Sequence, residues 1–326
     1  MGPMSCPDAA ASSSAGLTRV TRSKRGLPTE PTPWVMIGFA KVFAWDPRGN
    51  LLSLPNLGSP NEAQIGLTAL APNGRLLTYE KYPQAIGARP SAVTYDVVSG
   101  EIREEERPRT LLVPGVHGLS LRVQMLDRRD DEWQASGYTV CRNDVAQNLA
   151  INDRFGFNFS GLSAQFSPQA DRVAITHSYP RQVQKSVTIT NLLTGSVERY
   201  EDCSLHGSSP WTPDGDRLLV VRQGRPDPVV LNLRSSQFES FEVGERPISK
   251  YDGLPTIAGW TDNETLLTHK HVGSRVEVAK FSPASGDYSP VLDIPGPGSQ
   301  AEFLGLFIAP EVVWRDPTKA WPAAIG

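Results

Sequence analysis

One turn sequence recurs along the chain, and this repeat constrains the fold more than any other feature. Three copies contain Pro72, Pro168 and Pro213, and a weaker copy follows Trp260. Proline presets φ at the second turn position, and Asn or Asp before glycine tolerates positive φ before the next strand. Pro168 and Pro213 are 45 residues apart, but Pro72 and Pro168 are 96 apart. We therefore expect units of about 45 to 48 residues, one of them degenerate.

A second turn follows the first by roughly 20 to 25 residues in three of the units. It contains Ser99-Gly100, Thr194-Gly195 and Ser285-Gly286, and both flanks alternate apolar and polar residues. Such alternation is typical of half-buried strands. Two hairpins per unit form a four-stranded antiparallel blade, and blades around an axis form a propeller.

Both turns are similar to those of known propellers. The chain resembles the TolB-like and WD-repeat-like β-propellers, whose blades carry a Ser-Pro-Asp-Gly type turn after the innermost strand and an Asp-x-x-(Ser/Thr)-Gly type turn between the outer strands. The matching residues are Ser167-Pro168-Gln169-Ala170, Thr212-Pro213-Asp214-Gly215 and Asp96-Val97-Val98-Ser99-Gly100. The resemblance covers roughly residues 34 to 315 and implies a fold, with almost no implication for function.

The repeats predict an all-β, six-bladed β-propeller of four-stranded antiparallel blades. Five blades are expected at about 62–108, 111–157, 158–203, 204–244 and 250–295, with the first turn missing from 111–157. The sixth blade is expected to be closed by N- and C-terminal strands, from residues 41–52 and 301–308, because closure removes exposed sheet edges. The predicted division is a disordered tail at 1–33, a single propeller domain at 34–315 and a C-terminal tail at 316–326.

Composition limits the classes of partner. The 28 glycines and 28 prolines indicate frequent turns, and a net charge of −3 disfavours nucleic-acid binding. Three widely spaced cysteines predict reduced thiols, with neither a disulfide framework nor a zinc knuckle. We also expect no bound metal or other cofactor. With no apolar stretch near the 20 residues of a spanning helix and no secretory leader, we expect a cytoplasmic monomer that does not bind membranes.

Familiar catalytic signatures are absent from the sequence. It contains no Gly-x-Ser-x-Gly elbow, no Gly-x-Gly-x-x-Gly after a strand, no phosphate-binding Gly-Lys-Ser/Thr loop and no His-Glu-x-x-His. A nucleotide enzyme or a serine hydrolase of the usual kind is therefore disfavoured.

The central channel is the remaining place for a site. The strand before each first turn lines the channel, so residues about five to nine positions ahead of the turn should converge at one mouth. The candidate acid and base groups are His117, His206, Tyr251 and Asp252, and the candidate ligand-binding residues are Gln64, Asn158, Ser160 and Gln300. The histidines would act as general acid or base, Asp252 would orient them, and Tyr251 would donate a hydrogen bond. Alternatively, these residues are simply the polar lining of a water-filled mouth.

Other distinctive residues have structural explanations. His269 and His271 alternate along a predicted strand and share one face, as a metal pair would require, but a solvated strand face is the preferred interpretation. His177 has the same interpretation. Trp211 and Trp260 occupy the position before the repeated turn, so we expect both to be buried between blades.

Two functions remain open. The first is a non-catalytic propeller that binds a small polar ligand or a protein partner at the channel mouth. The second is an enzyme, a lyase, cyclase or hydrolase, that uses the histidine, tyrosine and aspartate side chains at that mouth.

Overall fold

The computed structural model describes most of the chain, and every structural statement below concerns the described residues. They are 18–19, 24–38, 41–46, 48, 50–55, 57, 63–83, 91–106, 110–127, 133–142, 145–149, 156–157, 164–178, 185–225, 227–241, 255–295 and 303–321.

Strands make up nearly all of the regular structure. The N-terminal strands are β1 (Thr18–Arg19), β2 (Lys24–Arg25), β3 (Trp34–Gly38), β4 (Val42–Asp46) and β5 (Asn50–Ser53). Blade 1 contains β6 (Ala63–Leu70), β7 (Leu76–Pro83), β8 (Ser91–Asp96) and β9 (Ile102–Glu106). Blade 2 contains β10 (Thr110–Pro114), β11 (Leu119–Asp127), β12 (Trp133–Arg142) and β13 (Val145–Asn148), and β14 (Gly156–Phe157) also pairs with β12.

The second half of the chain repeats this pattern. Blade 3 contains β15 (Ala164–Phe166), β16 (Arg172–Ser178), β17 (Lys185–Asn191) and β18 (Val197–Glu201), and blade 4 contains β19 (Cys203–Leu205), β20 (Arg217–Arg222), β21 (Pro228–Asn232) and β22 (Gln237–Ser240). Blade 5 contains β23 (Thr256–Trp260), β24 (Leu266–Val272), β25 (Arg275–Phe281) and β26 (Tyr288–Pro295). The chain continues into β27 (Phe303–Ile308), helix α1 (Pro310–Arg315) and a 3-10 helix (Pro317–Ala320).

The six blades form a ring, which confirms the predicted six-bladed propeller. Blade 6 contains both ends of the chain: β27 is its innermost strand and pairs antiparallel with β3, from Phe303 opposite Gly38 to Ile308 opposite Trp34. The remaining strands, β4 and β5, also come from the N-terminal side. Closure by N- and C-terminal strands is therefore confirmed, with one strand from the C-terminal side and three from the N-terminal side.

The interfaces between blades hold the hydrophobic core. Trp211 and Trp260 are each 1% exposed, which confirms that both are buried between blades. An arginine from the preceding blade stacks on each indole: Arg172 lies 5.4 Å from the Trp211 ring centre and Arg217 lies 5.2 Å from that of Trp260. The repeated turn therefore contributes a cation–π contact to the next blade as well as a chain reversal.

The innermost strands of blades 4 and 5 approach very closely. Gly259 has a φ of +148°, and a Cβ there would lie 2.5 Å from the carbonyl oxygen of Ser209. The backbone N–H of Trp260 donates to that same oxygen at 2.9 Å. Only glycine permits this backbone contact, because a methyl group would overlap the neighbouring strand.

The two ends of the propeller differ. We call the end with the turns that follow the innermost strands, such as 71–75, 167–171 and 212–216, the turn face. The opposite end, where the innermost strands begin, is the loop face.

Segments that the sequence analysis assigned to tails contact the propeller. Thr32 is fully buried, its hydroxyl donates to the backbone oxygens of Trp34 and Trp45, and its N–H donates to Gly74 O. At the other end, the Trp34 indole donates to Ala320 O at 3.0 Å. The boundaries at residues 33 and 315 stay predictions, but chain on both sides of them packs against blade 6.

Candidate functional site

Helix α1 lies over the propeller axis at the turn face. The Glu311 N–H donates to Pro72 O of blade 1 at 2.9 Å, and Val312 packs into the core between blades 6 and 1. Val313 belongs to the core between blades 5 and 6, whereas Trp314 packs against the cores between blades 2 and 3 and between blades 3 and 4. A six-residue helix is only about 9 Å long. A helix this short can contact four interfaces on different sides of the ring only if it lies near the centre.

His117 helps to hold this helix. It follows β10 in the turn of blade 2, with a φ of +52° in the left-handed region. Its backbone N–H donates to the Glu311 carboxylate, and its Nδ1 lies 3.8 Å from Glu311 Oε1. The other ring nitrogen, Nε2, lies 3.0 Å from Pro168 O of blade 3. The structure therefore places His117 at the turn face, where its contacts join blades 2 and 3 to α1.

His206 has different surroundings. Leu205 pairs with Val220 and Trp211 pairs with Leu218, so residues 206–210 together oppose the single residue Leu219. This segment leaves the sheet toward the axis. The same inner hairpin thus carries His206 on a long bulge, which the repeat spacing alone does not predict.

Ser208 anchors the bulge to two other blades. Its hydroxyl oxygen accepts from the Ile308 N–H of blade 6 at 2.7 Å and donates to Ala258 O of blade 5 at 3.2 Å. Gly207 beside it has a φ of +75°, and a Cβ there would lie 2.6 Å from Ala258 O. Because blades 4 and 6 are not neighbours in the ring, the Ser208 bridge crosses part of the axial region.

Three imidazoles share one neighbourhood at blades 4 and 5. Burial lowers the pKa of His206, and burial also lowers the pKa of His271. The pKa of His269 falls to about 3, mainly by burial and further by the nearby His271 and His206. His269 opposes Thr256 at the start of β23, so His269 and His271 lie in the half of blade 5 nearest the loop face. At neutral pH each uncharged ring has one donor and one acceptor nitrogen.

The preferred interpretation of His269, His271 and His177 as residues of solvated strand faces was wrong. Their exposed fractions are 4%, 8% and 1%. Both faces of the second strand of a blade pack against neighbouring blades, so alternation along that strand does not distinguish solvent from core. His177 lies between blades 2 and 3, with its ring edge-on to Tyr138 and its Nε2 against the Thr188 hydroxyl.

The other predicted site residues are Gln64 and five that lie outside the described part of the chain. Gln64 lies on β6, opposite Tyr82 near the loop-face end of the strand. Five others fall outside the described residues: Asn158, Ser160, Tyr251, Asp252 and Gln300. Of the predicted acid and base groups, His117 and His206 are described, and they have separate sets of partners. His117 lies at the turn face with α1, and convergence of the other predicted residues at one mouth stays a prediction.

A metal site needs a cluster of ligands, and a membrane span needs a long apolar helix. No cluster of three or more His, Cys, Asp or Glu side chains in this part of the chain is arranged to hold a metal ion. Nor does this part contain a helix long and apolar enough to span a membrane. The predicted cytoplasmic location, monomeric state and choice of partner stay predictions.

Comparison with known proteins supports the architecture. No protein-family model matches the sequence, and no curated protein matches it. Among solved structures, TolB from Acinetobacter baumannii is similar with a TM-score of 0.53 and 12% identity, over 87% of this chain and 68% of that one. The fold is that of a TolB-like six-bladed β-propeller.

Two further matches come from peptidases. The propeller domain of the Trilobed protease from Pyrococcus furiosus has a TM-score of 0.41 at 10% identity, over 70% of each chain. A prolyl endopeptidase has a TM-score of 0.43 at 16% identity, over 84% of this chain and 42% of that one. Identities this low concern the fold alone.

Proposed function

We propose that this TolB-like propeller is a non-catalytic binding module that takes a small polar ligand at the loop-face mouth of its channel. The position of α1 carries the proposal. Because this helix lies over the axis at the turn face, the loop face is the end through which a ligand would enter.

The residues near that end suggest the chemistry of the ligand. His206 is kept neutral by burial, and so are the neighbouring buried His269 and His271, so the region suits a partner that carries little charge and exchanges hydrogen bonds with His206. The hydrogen bond from the Ser208 hydroxyl to Ala258 O holds the bulge that carries His206 in this region. A compound rich in hydroxyl or amide groups fits this set of donors and acceptors.

Metabolite capture tests the proposal. The purified protein would be incubated with a mixture of polar metabolites, and the retained compounds would be identified by mass spectrometry. His206→Ala should lose the retained compound, because this side chain lies on the bulge in the axial region. His117→Ala is the matched control and should retain it, because His117 contacts α1 at the opposite face.

Two results would contradict the proposal. Retention that is lost in His117→Ala but kept in His206→Ala would move the site to the turn face. Recovery of a chemically altered compound would support the enzymatic alternative, since a binding module returns its ligand unchanged. The melting temperature of each variant would show that the fold is intact.

A further inference from the structure

The outer edges of the blades differ in how they are covered. The N-terminal segment adds a strand to two of them: β1 pairs in parallel with β26 of blade 5, and β2 pairs in parallel with β5 of blade 6. The β2 contact includes a hydrogen bond from Lys24 Nζ to Asn50 Oδ1 at 2.9 Å. This fold therefore accepts extended chain at blade edges.

Three of the other four outer strands carry acidic side chains, and the fourth does not. Glu104 and Glu105 lie on β9, Glu198 and Glu201 lie on β18, and Glu239 lies on β22. Charged side chains on an edge strand discourage pairing with another chain. The exception is β13, whose sequence Val-Ala-Gln-Asn has no charge and whose four residues are all exposed.

An apolar patch adjoins this uncharged edge. Val145 is 70% exposed, and Leu193 and Val197 of blade 3 are 82% and 44% exposed. The Gln147 side chain donates to Leu192 O at 3.1 Å, so β13 is in direct contact with the turn that carries Leu193. These are three of the five large apolar side chains classed as exposed among the described residues. We call β13 with Leu193 and Val197 the blade 2 rim.

We propose that the blade 2 rim binds an extended, weakly charged peptide segment of a partner protein. The segment would add a strand to the free side of β13, as β1 and β2 add to blades 5 and 6. Its apolar side chains would cover Val145 and Leu193. Main-chain hydrogen bonds give affinity in such strand addition, and pockets for alternate side chains give specificity. The surface lies at the periphery of the propeller, so it is separate from the proposed channel site.

A labelled peptide tests the rim directly. The probe is a fluorescent peptide of about eight residues, with alternating threonine and valine and a lysine at each end. Fluorescence polarisation should rise to saturation with the wild-type protein. Ala146→Lys places a charge on β13 and should weaken binding about tenfold. Leu193→Ser should also weaken binding because it removes apolar contact.

A matched control distinguishes a specific effect at the β13 edge from a general effect of added positive charge. Gln237→Lys adds the same charge to an exposed position on β22, so it should bind the peptide as the wild type does. His206→Ala should also leave peptide binding unchanged. Absence of saturable binding to the wild type would overturn the proposal, as would equal weakening by Ala146→Lys and Gln237→Lys. Because all these positions are exposed or outside the interblade core, unchanged melting temperatures should accompany each result.

Discussion

Acid should destabilise the propeller through its buried neutral histidines. Burial, with a further contribution from the nearby Arg199, lowers the pKa of His177 to about 3. Burial also lowers the pKa of His269 to about 3. The unfolded chain has ordinary histidines with a pKa near 6.5, so it binds protons that the folded chain does not bind as the pH falls.

The sign and size of the effect follow from this difference. The stabilisation is complete above about pH 6.5 and is lost progressively as the pH falls toward 3. Between pH 7 and pH 5, each of the two histidines should cost about 2 kcal/mol of unfolding free energy, since one pH unit corresponds to about 1.4 kcal/mol. Together His177 and His269 should account for about 4 kcal/mol.

Urea unfolding of the wild type and of His177→Gln at both pH values isolates one of these contributions. Glutamine keeps a hydrogen-bonding side chain near Thr188 but does not titrate. The loss of stability between pH 7 and pH 5 should be smaller by about 2 kcal/mol in the variant. An equal loss in both proteins would show that His177 titrates in the folded protein as it does in the unfolded chain, and would refute the assignment.

Three further predictions concern packing. Trp211→Ala should cost about 3 to 5 kcal/mol in urea unfolding, because it empties a site between blades 3 and 4, and a loss below about 1 kcal/mol would contradict that position. Gly259→Ala should cost about 3 kcal/mol, whereas Gly305→Ala, with nearly the same φ of +147° but no atom closer than 3.5 Å to the added methyl group, should cost only about 1 to 2; equal losses would contradict the close approach of blades 4 and 5. Truncation after Ala309 removes the buried Val313 and Trp321 and should lower the melting temperature by about 10 °C in calorimetry, so an unchanged melting temperature would mean that α1 does not pack on the axis.

Local turn chemistry explains why the architecture could be predicted. Pro168 and Pro213 mark equivalent hairpins, and the aromatic residues before such turns are buried between blades. Each signal is encoded within a few residues and repeats at a fixed interval. The closure of blade 6 also follows from the repeat, because strands are left over at both ends of the chain.

The site depends on features that do not repeat. Blade 2 makes its first turn with Gly115 and Gly118 around a left-handed His117, so the repeat cannot align that histidine with His206. The bulge at 206–210 adds residues that pair with no regular partner, and its direction is set by contacts with Ala258 and Ile308. Such long-range contacts leave no periodic signal.

The position of α1 over the axis also cannot be predicted from the sequence pattern. Its six residues resemble any short C-terminal helix until their contacts with blades 1, 2 and 3 are known. The burial of His269 and His271 has a similar origin. Periodicity places both on one face of β24, and only the neighbouring blade determines whether that face meets solvent.

Amide hydrogen exchange with and without the retained metabolite tests the proposed loop-face site most directly. Binding should slow exchange in residues 203–209 and 266–272, which carry His206, Ser208, His269 and His271. Exchange in residues 310–321, at the turn face, should stay unchanged. Protection confined to 310–321 would place the ligand at the opposite end of the propeller and would contradict the account.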